Sequence, residues 1–235
     1  MTFAVMESRR RHRERLVVAT SNRGKLEELR VLLSGFALEV QGVGDILADP
    51  PHVAEDGATF VENATKKAVA VARATMMLSL ADDSGLEVDV LDGRPGVKSA
   101  RFAHDRATDA ENNAALLAEL DALDAHADPT GAGAVPQGLR ARFRCVLALL
   151  DPFTGGGRVR IVQGVCEGAI TRTPRGSGGF GYDPLFVVNG TEQTMAELDP
   201  EKKNRISHRA AAFVALRPVL QEVLNERAEQ LARLG

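Results

Sequence analysis

The hydrophobic and polar positions change period several times along the chain, and these changes predict alternating strands and helices. Period two or a β-branched run predicts a strand, whereas apolar residues three and four apart predict an amphipathic helix. In chain order the pattern predicts a strand at 16–20, a helix from 22 to about 34, a strand at 38–43, a helix at 57–75, strands at 77–81 and 86–90, a helix at 108–125, strands at 140–150 and 157–168, and a helix from 207. Helix-linked and hairpin-linked strands together predict an α/β fold with a mixed sheet.

Three local signals refine these elements. Thr108 and Glu111 have the spacing of a capping box, which predicts the start of their helix. Residues 82–85, with the sequence DDSG, separate two apolar runs, so we expect an acidic turn between two strands. Pro218 lacks a backbone donor inside the last helix, so we expect a kink or a break near residue 217.

Composition places the chain among ordinary globular proteins. It has 235 residues, 44% of them hydrophobic and 26% charged, with a formal net charge of −3. This balance argues against global disorder or a fibrous repeat, and it lacks the basic field of a duplex nucleic-acid-binding protein. The opening sequence MTFAVMESRRRHRER lacks the apolar region of a secretory signal, and no membrane-spanning segment is evident, so we expect a cytoplasmic protein. Cys145 and Cys166 lie in apolar runs and are expected to be buried thiols.

Two segments fall outside the periodic pattern. Residues 1–15 carry five arginines and no repeating apolar face, which predicts a flexible basic tail before a folded domain at 16–235. Residues 126–138 are rich in Gly, Ala and Pro, which predicts a mobile surface loop without chemistry.

A first candidate site lies at residues 20–25, TSNRGK, between the first strand and the first helix. Free backbone N–H groups and the helix dipole favour an anion there, and Lys25 adds a positive charge suited to phosphate. The segment is not a P-loop, because Leu26 follows the lysine. A simple helix cap is the structural alternative.

A second candidate site contains the adjacent carboxylates Asp82 and Asp83. Two neighbouring negative charges repel each other unless a cation, water or hydrogen bonds compensate them. Magnesium takes one or two carboxylates together with substrate phosphates, so one of these residues with Glu55 or Asp56 would suffice. A solvated turn remains the alternative.

Residues 176–184, GSGGFGYDP, form a third candidate. The segment matches G-x-G-x-x-G, but an apolar strand follows instead of a helix, so a dinucleotide site is rejected. Phe180 or Tyr182 could cover a nucleobase while Asp183 accepts hydrogen bonds from its ring. The alternative is a glycine loop with two core aromatic residues.

The fourth candidate is the basic segment 202–209, KKNRISHR. Ser207 is a natural N-cap, which places His208 and Arg209 in a first turn where the dipole disfavours cations, and an acceptor-rich ligand would resolve that conflict. A Ser/His hydrolase is disfavoured because the chain has no G-x-S-x-G. A solvated basic patch is the remaining alternative.

Taken together and in this order, the segments resemble the inosine triphosphate pyrophosphatase family, which hydrolyses non-standard purine nucleoside triphosphates. The resemblance covers residues 16 to about 225. It rests on five signatures: TSNRGK (20–25), FVENATKKA (60–68), ADDSGLEVDVLDGRPGVKSARFA (81–103), GGFGYDP (178–184) and ISHRAAA (206–212).

The resemblance implies an elongated two-lobed subunit, with a central mixed sheet flanked by helices and a nucleotide cleft between the lobes. It also implies a homodimer, Mg²⁺ held by Glu55 and Asp83, and Asp83 as the catalytic residue that activates water. The implied substrate-binding residues are Thr20, Ser21, Asn22, Arg23, Gly24, Lys25, Lys67, Ser84, Phe180, Gly181, Tyr182, Asp183, Lys203, His208 and Arg209.

The expected activity is hydrolysis of ITP, dITP and XTP to the nucleoside monophosphate and pyrophosphate. A donor such as Arg209 facing purine O6 would discriminate against the amino group of adenine, although guanine also carries an O6. Two alternatives stay open: a nucleotide-sensing module without turnover, and a pyrophosphatase for other modified nucleotides.

Overall fold

A computed structural model of the chain describes residues 14–125 and 139–234. Its strands are β1 (Glu14–Val18), β2 (Leu38–Gly42), β3 (Leu78–Val88), β4 (Leu139–Leu150), β5 (Arg160–Ile170) and β6 (Phe186–Val188). Its α-helices are α1 (Arg23–Leu33), α2 (Val43–Ile46), α3 (Phe60–Thr75), α4 (Asp109–Ala125), α5 (Pro200–Ile206) and α6 (His208–Leu234). Short 3-10 turns cover Asp89–Leu91, Gly96–Arg101 and Gly155–Gly157. Most of the predicted elements are confirmed, and the short helices α2 and α5 are additional.

The six strands form one mixed sheet in the order β2-β1-β3-β4-β5-β6. β1 is parallel to both β2 and β3, whereas β3, β4, β5 and β6 are joined by antiparallel pairing. The α/β fold with a mixed sheet and the hairpin after Leu150 are thus as expected. The two-lobed shape and the cleft between lobes stay predictions.

Helices cover both faces of the sheet because successive strand side chains point to opposite sides. On one face, Leu78 and Leu80 of β3 pack in a cluster that includes Leu29 of α1 and Leu216 of α6. On the other face, Ala81 belongs to the cluster built around α3. A third cluster joins α4 to the far ends of β3, β4 and β5. Among the described residues no helix is both long and apolar enough to cross a membrane.

The expected acidic turn at residues 82–85 is wrong. β3 continues without interruption through the DDSG sequence, and its residues pair in register with β4, with Asp82 opposite Leu147 and Asp83 opposite Val146. The strand tolerates the two carboxylates because basic side chains reach both of them, as described below. The turn signal was local, whereas the pairing partner and the compensating charges come from distant sequence.

The two local helix signals have different outcomes. Thr108 and Glu111 exchange the two hydrogen bonds of the predicted capping box. Helix α6 continues as one helix of 27 residues through Pro218, so the helix does not break there, and the alternative of a kink near residue 217 stays a prediction. Pro218 cannot donate a hydrogen bond to the carbonyl of Val214, four residues earlier. Both residues are exposed, so this carbonyl lies on the solvent side of the helix.

Two predictions concern segments that are largely outside the described residues. β1 begins at Glu14, two residues before the expected start at Leu16, because Glu14 and Arg15 pair with the first residues of β2. The remainder of the predicted tail, 1–13, and the predicted loop at 126–138 lie outside the described residues.

Candidate active site

The candidate site forms where β3 extends beyond its parallel neighbour. β1 pairs with β3 only as far as Leu80, and the chain then turns through residues 19–22 into α1. The segment from Asp82 to Ser84 therefore has β4 on one side and the N-terminus of α1 on the other. Such a position, beyond the carboxyl end of a parallel strand, is where α/β sheets commonly bind ligands.

Asp82 lies at the centre of a buried ionic network and has no solvent exposure. Its Oδ1 is 2.7 Å from the Lys25 Nζ, and its Oδ2 accepts a hydrogen bond of 2.8 Å from the Arg209 Nε. Ser84 and Cys145 donate to the same carboxylate at 2.9 and 3.1 Å. Burial alone would raise the pKa of Asp82, but the charges of Arg209 and Lys25 outweigh it and hold that pKa well below the ordinary value.

The network continues through Glu28, which the sequence analysis missed. Glu28 is ion-paired with Arg209 and, at 2.8 Å, with the Lys203 Nζ. Lys203 is in turn 2.7 Å from Asp183. Burial would lower the pKa of Lys203, but Asp183 and Glu28 outweigh it and raise that pKa. The available signal was spacing, because Glu28 lies one helical turn after Lys25 and therefore on the same side of α1.

Asp83 points to the opposite face of β3 from Asp82 and meets different partners. Its Oδ1 accepts a hydrogen bond of 2.7 Å from Lys67, and Lys67 is also 3.3 Å from Glu55. Its buried Oδ2 has no hydrogen-bond partner within the described residues. Burial raises the pKa of Asp83, and the neighbouring Lys67 offsets only part of that effect.

The Asp83 and Glu55 carboxylates match the ligands that a hard divalent cation prefers. The unpaired Asp83 Oδ2 leaves one oxygen free for a metal ion or water, and the Glu55 side chain is 38% exposed. Across residues 14–125 and 139–234, no three His, Cys, Asp or Glu side chains are grouped to hold a metal by themselves. The donor set therefore suits a cation that also takes oxygens from a bound substrate.

The turn before α1 is exposed and suited to an anion. Asn22 caps the helix by accepting a hydrogen bond of 3.0 Å from the Lys25 N–H, and Thr20 accepts one from the Asn22 N–H. Ser21, Asn22 and Arg23 are exposed. The helix cap expected as a structural alternative is thus present, and the exposed first-turn residues remain accessible to a ligand.

The glycine loop brings an aromatic ring to the same place. A Cβ built on Gly24 would lie only 2.7 Å from the Phe180 ring, so the glycine is required for this close approach. The Lys203 Nζ and the Arg209 Cζ lie 5.0 and 5.8 Å from the centre of that ring. Phe180 is therefore the aromatic residue that meets the ionic network.

The remainder of the loop is fixed by other parts of the molecule. Gly181 exchanges hydrogen bonds with Asp109 and Asn113 of α4. The Tyr182 side chain is buried in the cluster around α4 and donates its hydroxyl to the Ser99 carbonyl at 2.9 Å. The Tyr182 side chain is thus part of the core.

His208 is buried beside Arg209 at the start of α6. Its ring stacks on Phe143, with 4.8 Å between ring centres, and its Nδ1 has no hydrogen-bond partner in the described part of the chain. Burial, together with the positive charge of Arg209, lowers the pKa of His208 well below its ordinary value. The imidazole is therefore neutral, which resolves the conflict with the helix dipole at this residue.

The comparisons with known proteins point to one family. The profile described as the Ham1 family matches residues 16–219. A dITP/XTP pyrophosphatase from Desulforamulus reducens is 49% identical over 210 residues, which are 89% of this chain and 96% of that protein. The protein of the same name from Streptomyces avermitilis is 45% identical over 212 residues. These 212 residues are 89% of this chain and 98% of that protein.

Solved structures agree with these relatives. A HAM1 protein from Coxiella burnetii matches with a TM-score of 0.74 and 41% identity, covering 89% of this chain and 99% of that one. A nucleoside-triphosphatase and dITP/XTP pyrophosphatase from Mycobacterium abscessus matches with a TM-score of 0.65 and 41% identity. That match covers 87% of this chain and 99% of the other.

Proposed function

Because this chain belongs to the Ham1 family, we infer that it is a pyrophosphatase acting on non-standard purine nucleoside triphosphates such as dITP, XTP and ITP. It hydrolyses them to the nucleoside monophosphate and pyrophosphate. The observation that carries this inference is the juxtaposition of Asp83, with one unpaired oxygen, and the Asp82 network beside the N-terminus of α1. Cleansing the nucleotide pool is the purpose that such a reaction serves.

The triphosphate binds along the first turn of α1. The turn at Thr20–Gly24, which is exposed from Ser21 to Arg23, offers backbone N–H groups and the side chains of Ser21 and Asn22. Lys25 and Lys67 provide positive charge on either side. Ser84 lies beside this position through its bond to Asp82. These lysines stabilise the charge that develops on the departing pyrophosphate.

Asp83 is the catalytic residue in this proposal. Its Oδ2 orients a water molecule toward the α-phosphorus and accepts the proton as the new P–O bond forms. The bond from the α-phosphorus to the oxygen bridging the α- and β-phosphates then breaks, and pyrophosphate leaves. The raised pKa of Asp83 suits a general base, since basicity increases with pKa. Lys67 fixes the other oxygen of the same carboxylate.

A divalent cation completes the site, and Mg²⁺ is the ion we propose. Glu55 and Asp83 would hold it together with phosphate oxygens, and it would neutralise phosphate charge when bound. Both carboxylates are ion-paired with Lys67 and therefore lie close together, and the Glu55 side chain is 38% exposed. This acidic pair supports the assignment.

The base binds among Phe180, Gly181, Asp183, Lys203 and Arg209, with the Phe180 ring against its face. Cationic donors that face purine O6 favour hypoxanthine and xanthine, because the amino group of adenine would leave two donors unpaired. His208 is neutral and adds a ring nitrogen that can accept or donate. Tyr182 supports the loop from the core.

We propose further that the enzyme is a cytoplasmic homodimer. It binds the nucleotide substrate and does not bind a nucleic acid. The homodimer rests on the family resemblance. Both cysteines are free and buried, which is usual in a reducing compartment. The net charge of −3 does not favour a polyanion.

The first test is product analysis with purified protein, Mg²⁺ and equal concentrations of ITP, XTP, GTP and ATP. We expect IMP, XMP and pyrophosphate, with GTP and ATP nearly unchanged. Release of inorganic phosphate with IDP would refute cleavage between the α- and β-phosphates. Tight binding of ITP without turnover would instead support the nucleotide-sensing alternative.

A further inference from the structure

We propose that Arg101 is a positioning residue that fixes the loop carrying Glu55, and this inference rests on the proposed function. Arg101 ends the 3-10 turn Gly96–Arg101, and its guanidinium donates to the main-chain oxygen of Glu55. Arg101 lies in the sequence signature 81–103, whose candidate site residues all lie at its beginning, at positions 82–84. The contact joins two segments that are 46 positions apart in the sequence.

The loop around Glu55 has little structure of its own. Residues 47–59 form neither helix nor strand, so the position of Glu55 depends on contacts with other segments. The loop residues that follow Glu55 are held by side chains of α3. Lys66 is ion-paired with Asp56, and Asn63 accepts a hydrogen bond of 2.8 Å from the Gly57 N–H. Arg101 restrains the main chain of Glu55 itself, from a different segment.

Arg101 is itself held against the strand that carries Asp83. Ser99, in the same 3-10 turn, accepts a hydrogen bond of 2.9 Å from the Leu86 N–H of β3. Tyr182 donates to the Ser99 carbonyl, which ties the turn to the glycine loop. A Cβ on Gly85 would lie 2.4 Å from the Ser99 Oγ, so strand and turn are in close contact. Arg101 therefore fixes the position of the Glu55 main chain relative to β3.

The division of contacts at Glu55 makes a specific prediction. Lys67 reaches the Glu55 carboxylate, whereas Arg101 reaches its main chain. Within the described ranges Arg101 forms no ion pair with a carboxylate, and its charge is not required to compensate a buried acid. Loss of Arg101 should therefore release the loop and weaken the metal site, with little effect on the nucleotide-binding residues of α1 and α6.

The test compares Arg101→Gln with the control variant Arg94→Gln. Arg94 lies in the same segment, and its substitution removes only a surface ion pair with Glu119. For Arg101→Gln we expect the Mg²⁺ concentration that half-saturates dITP hydrolysis to rise about 10-fold, as for other residues that orient metal ligands. The values of kcat and KM for dITP at saturating Mg²⁺ should stay within about 2-fold of wild type, and Arg101→Lys should recover part of the metal affinity.

Hydrogen exchange of residues 52–58 in the free protein gives a readout that does not depend on activity. Faster exchange there in Arg101→Gln, with wild-type exchange in β3 and in Arg94→Gln, is the expected result. Wild-type exchange together with an unchanged Mg²⁺ dependence would overturn the positioning role. If the wild-type protein does not hydrolyse dITP, the proposed function fails, and the exchange experiment still decides whether Arg101 restrains the loop.

Discussion

Asp82 and Asp83 are neighbours in sequence but occupy two different regions of the molecule. Asp82 points to the α1 and α6 side of the sheet, has no exposure, and is bound by Lys25, Arg209, Ser84 and Cys145. Asp83 points to the α3 side, where, among the described residues, Lys67 binds one of its two oxygens and the other has no partner. A buried carboxylate with four partners is a fixed structural charge, whereas one with an unpaired oxygen is available for chemistry.

The difference between the two carboxylates follows from strand geometry. Successive side chains of a strand point to opposite faces, so the pair does not share one environment or one set of partners. The pKa values move in opposite directions accordingly: Arg209 and Lys25 hold that of Asp82 down despite its burial, and burial raises that of Asp83. Adjacent carboxylates on a strand can therefore divide structural and catalytic roles.

The most severe effect on activity is expected for Asp83→Asn. Loss of the basic oxygen should lower kcat for dITP by about 10³-fold, as for other general bases. Because Asn still accepts a hydrogen bond from Lys67, the free energy of unfolding should change by about 1 kcal/mol or less. Steady-state kinetics and urea unfolding measure the two quantities, with exposed Asp105→Asn as the control. Retention of more than a tenth of wild-type kcat would contradict the role of Asp83.

Arg209→Met tests the structural half of the comparison. It leaves the buried Asp82 carboxylate without its main partner, which typically costs about 3–5 kcal/mol of unfolding free energy. Urea unfolding measures this loss, and Asp82→Asn in the same protein should recover part of it because the unpaired charge is removed. A loss below about 1 kcal/mol for the single variant would show that the network is not a structural unit.

The neutral imidazole of His208 should make stability depend on pH. Its pKa is lowered in the folded state, so below the ordinary value of 6.5 the unfolded chain binds more protons than the folded chain. Stability is therefore retained above pH 6.5 and lost as the pH falls toward the lowered pKa, by at most about 1.4 kcal/mol per pH unit. Urea unfolding between pH 7.5 and 5 of wild type and His208→Gln should differ in this slope, and the exposed His104→Gln should not.

Tyr182→Phe has the smallest expected effect and separates the two aromatic residues of the glycine loop. Loss of the hydroxyl bond to Ser99 should lower the unfolding free energy by about 1 kcal/mol, with kcat/KM for dITP within about 3-fold of wild type. Phe180→Ala, in contrast, should lower kcat/KM about 10-fold through lost stacking on the base. Equal losses of kcat/KM in the two variants would show that Tyr182, like Phe180, contributes to binding of the base.

Elements whose determinants lie within one segment of the chain could be predicted from the sequence. The amphipathic helix α3, the capping box at Thr108 and the hairpin of β4 and β5 follow from periodicity and caps within one segment. The turn assigned to residues 82–85 was wrong because local composition outweighed the long pairing with β4 in the prediction. The resemblance supplied the candidate site residues, which stay predictions, but it gave no orientation for Tyr182 and no role for Glu28 or Arg101.

The sequence by itself determined the α/β class, the order of most elements and the family, and it supplied the candidate residues of the site. These properties depend on periodicity, caps and short motifs, which one segment carries alone. The tertiary structure decided that Asp82 and Asp83 face opposite sides of one strand, that Glu28 joins Lys203 to Arg209, and which partners set each pKa. Contact, burial and charge compensation depend on distances between segments far apart in the chain, and only the packed fold sets those distances.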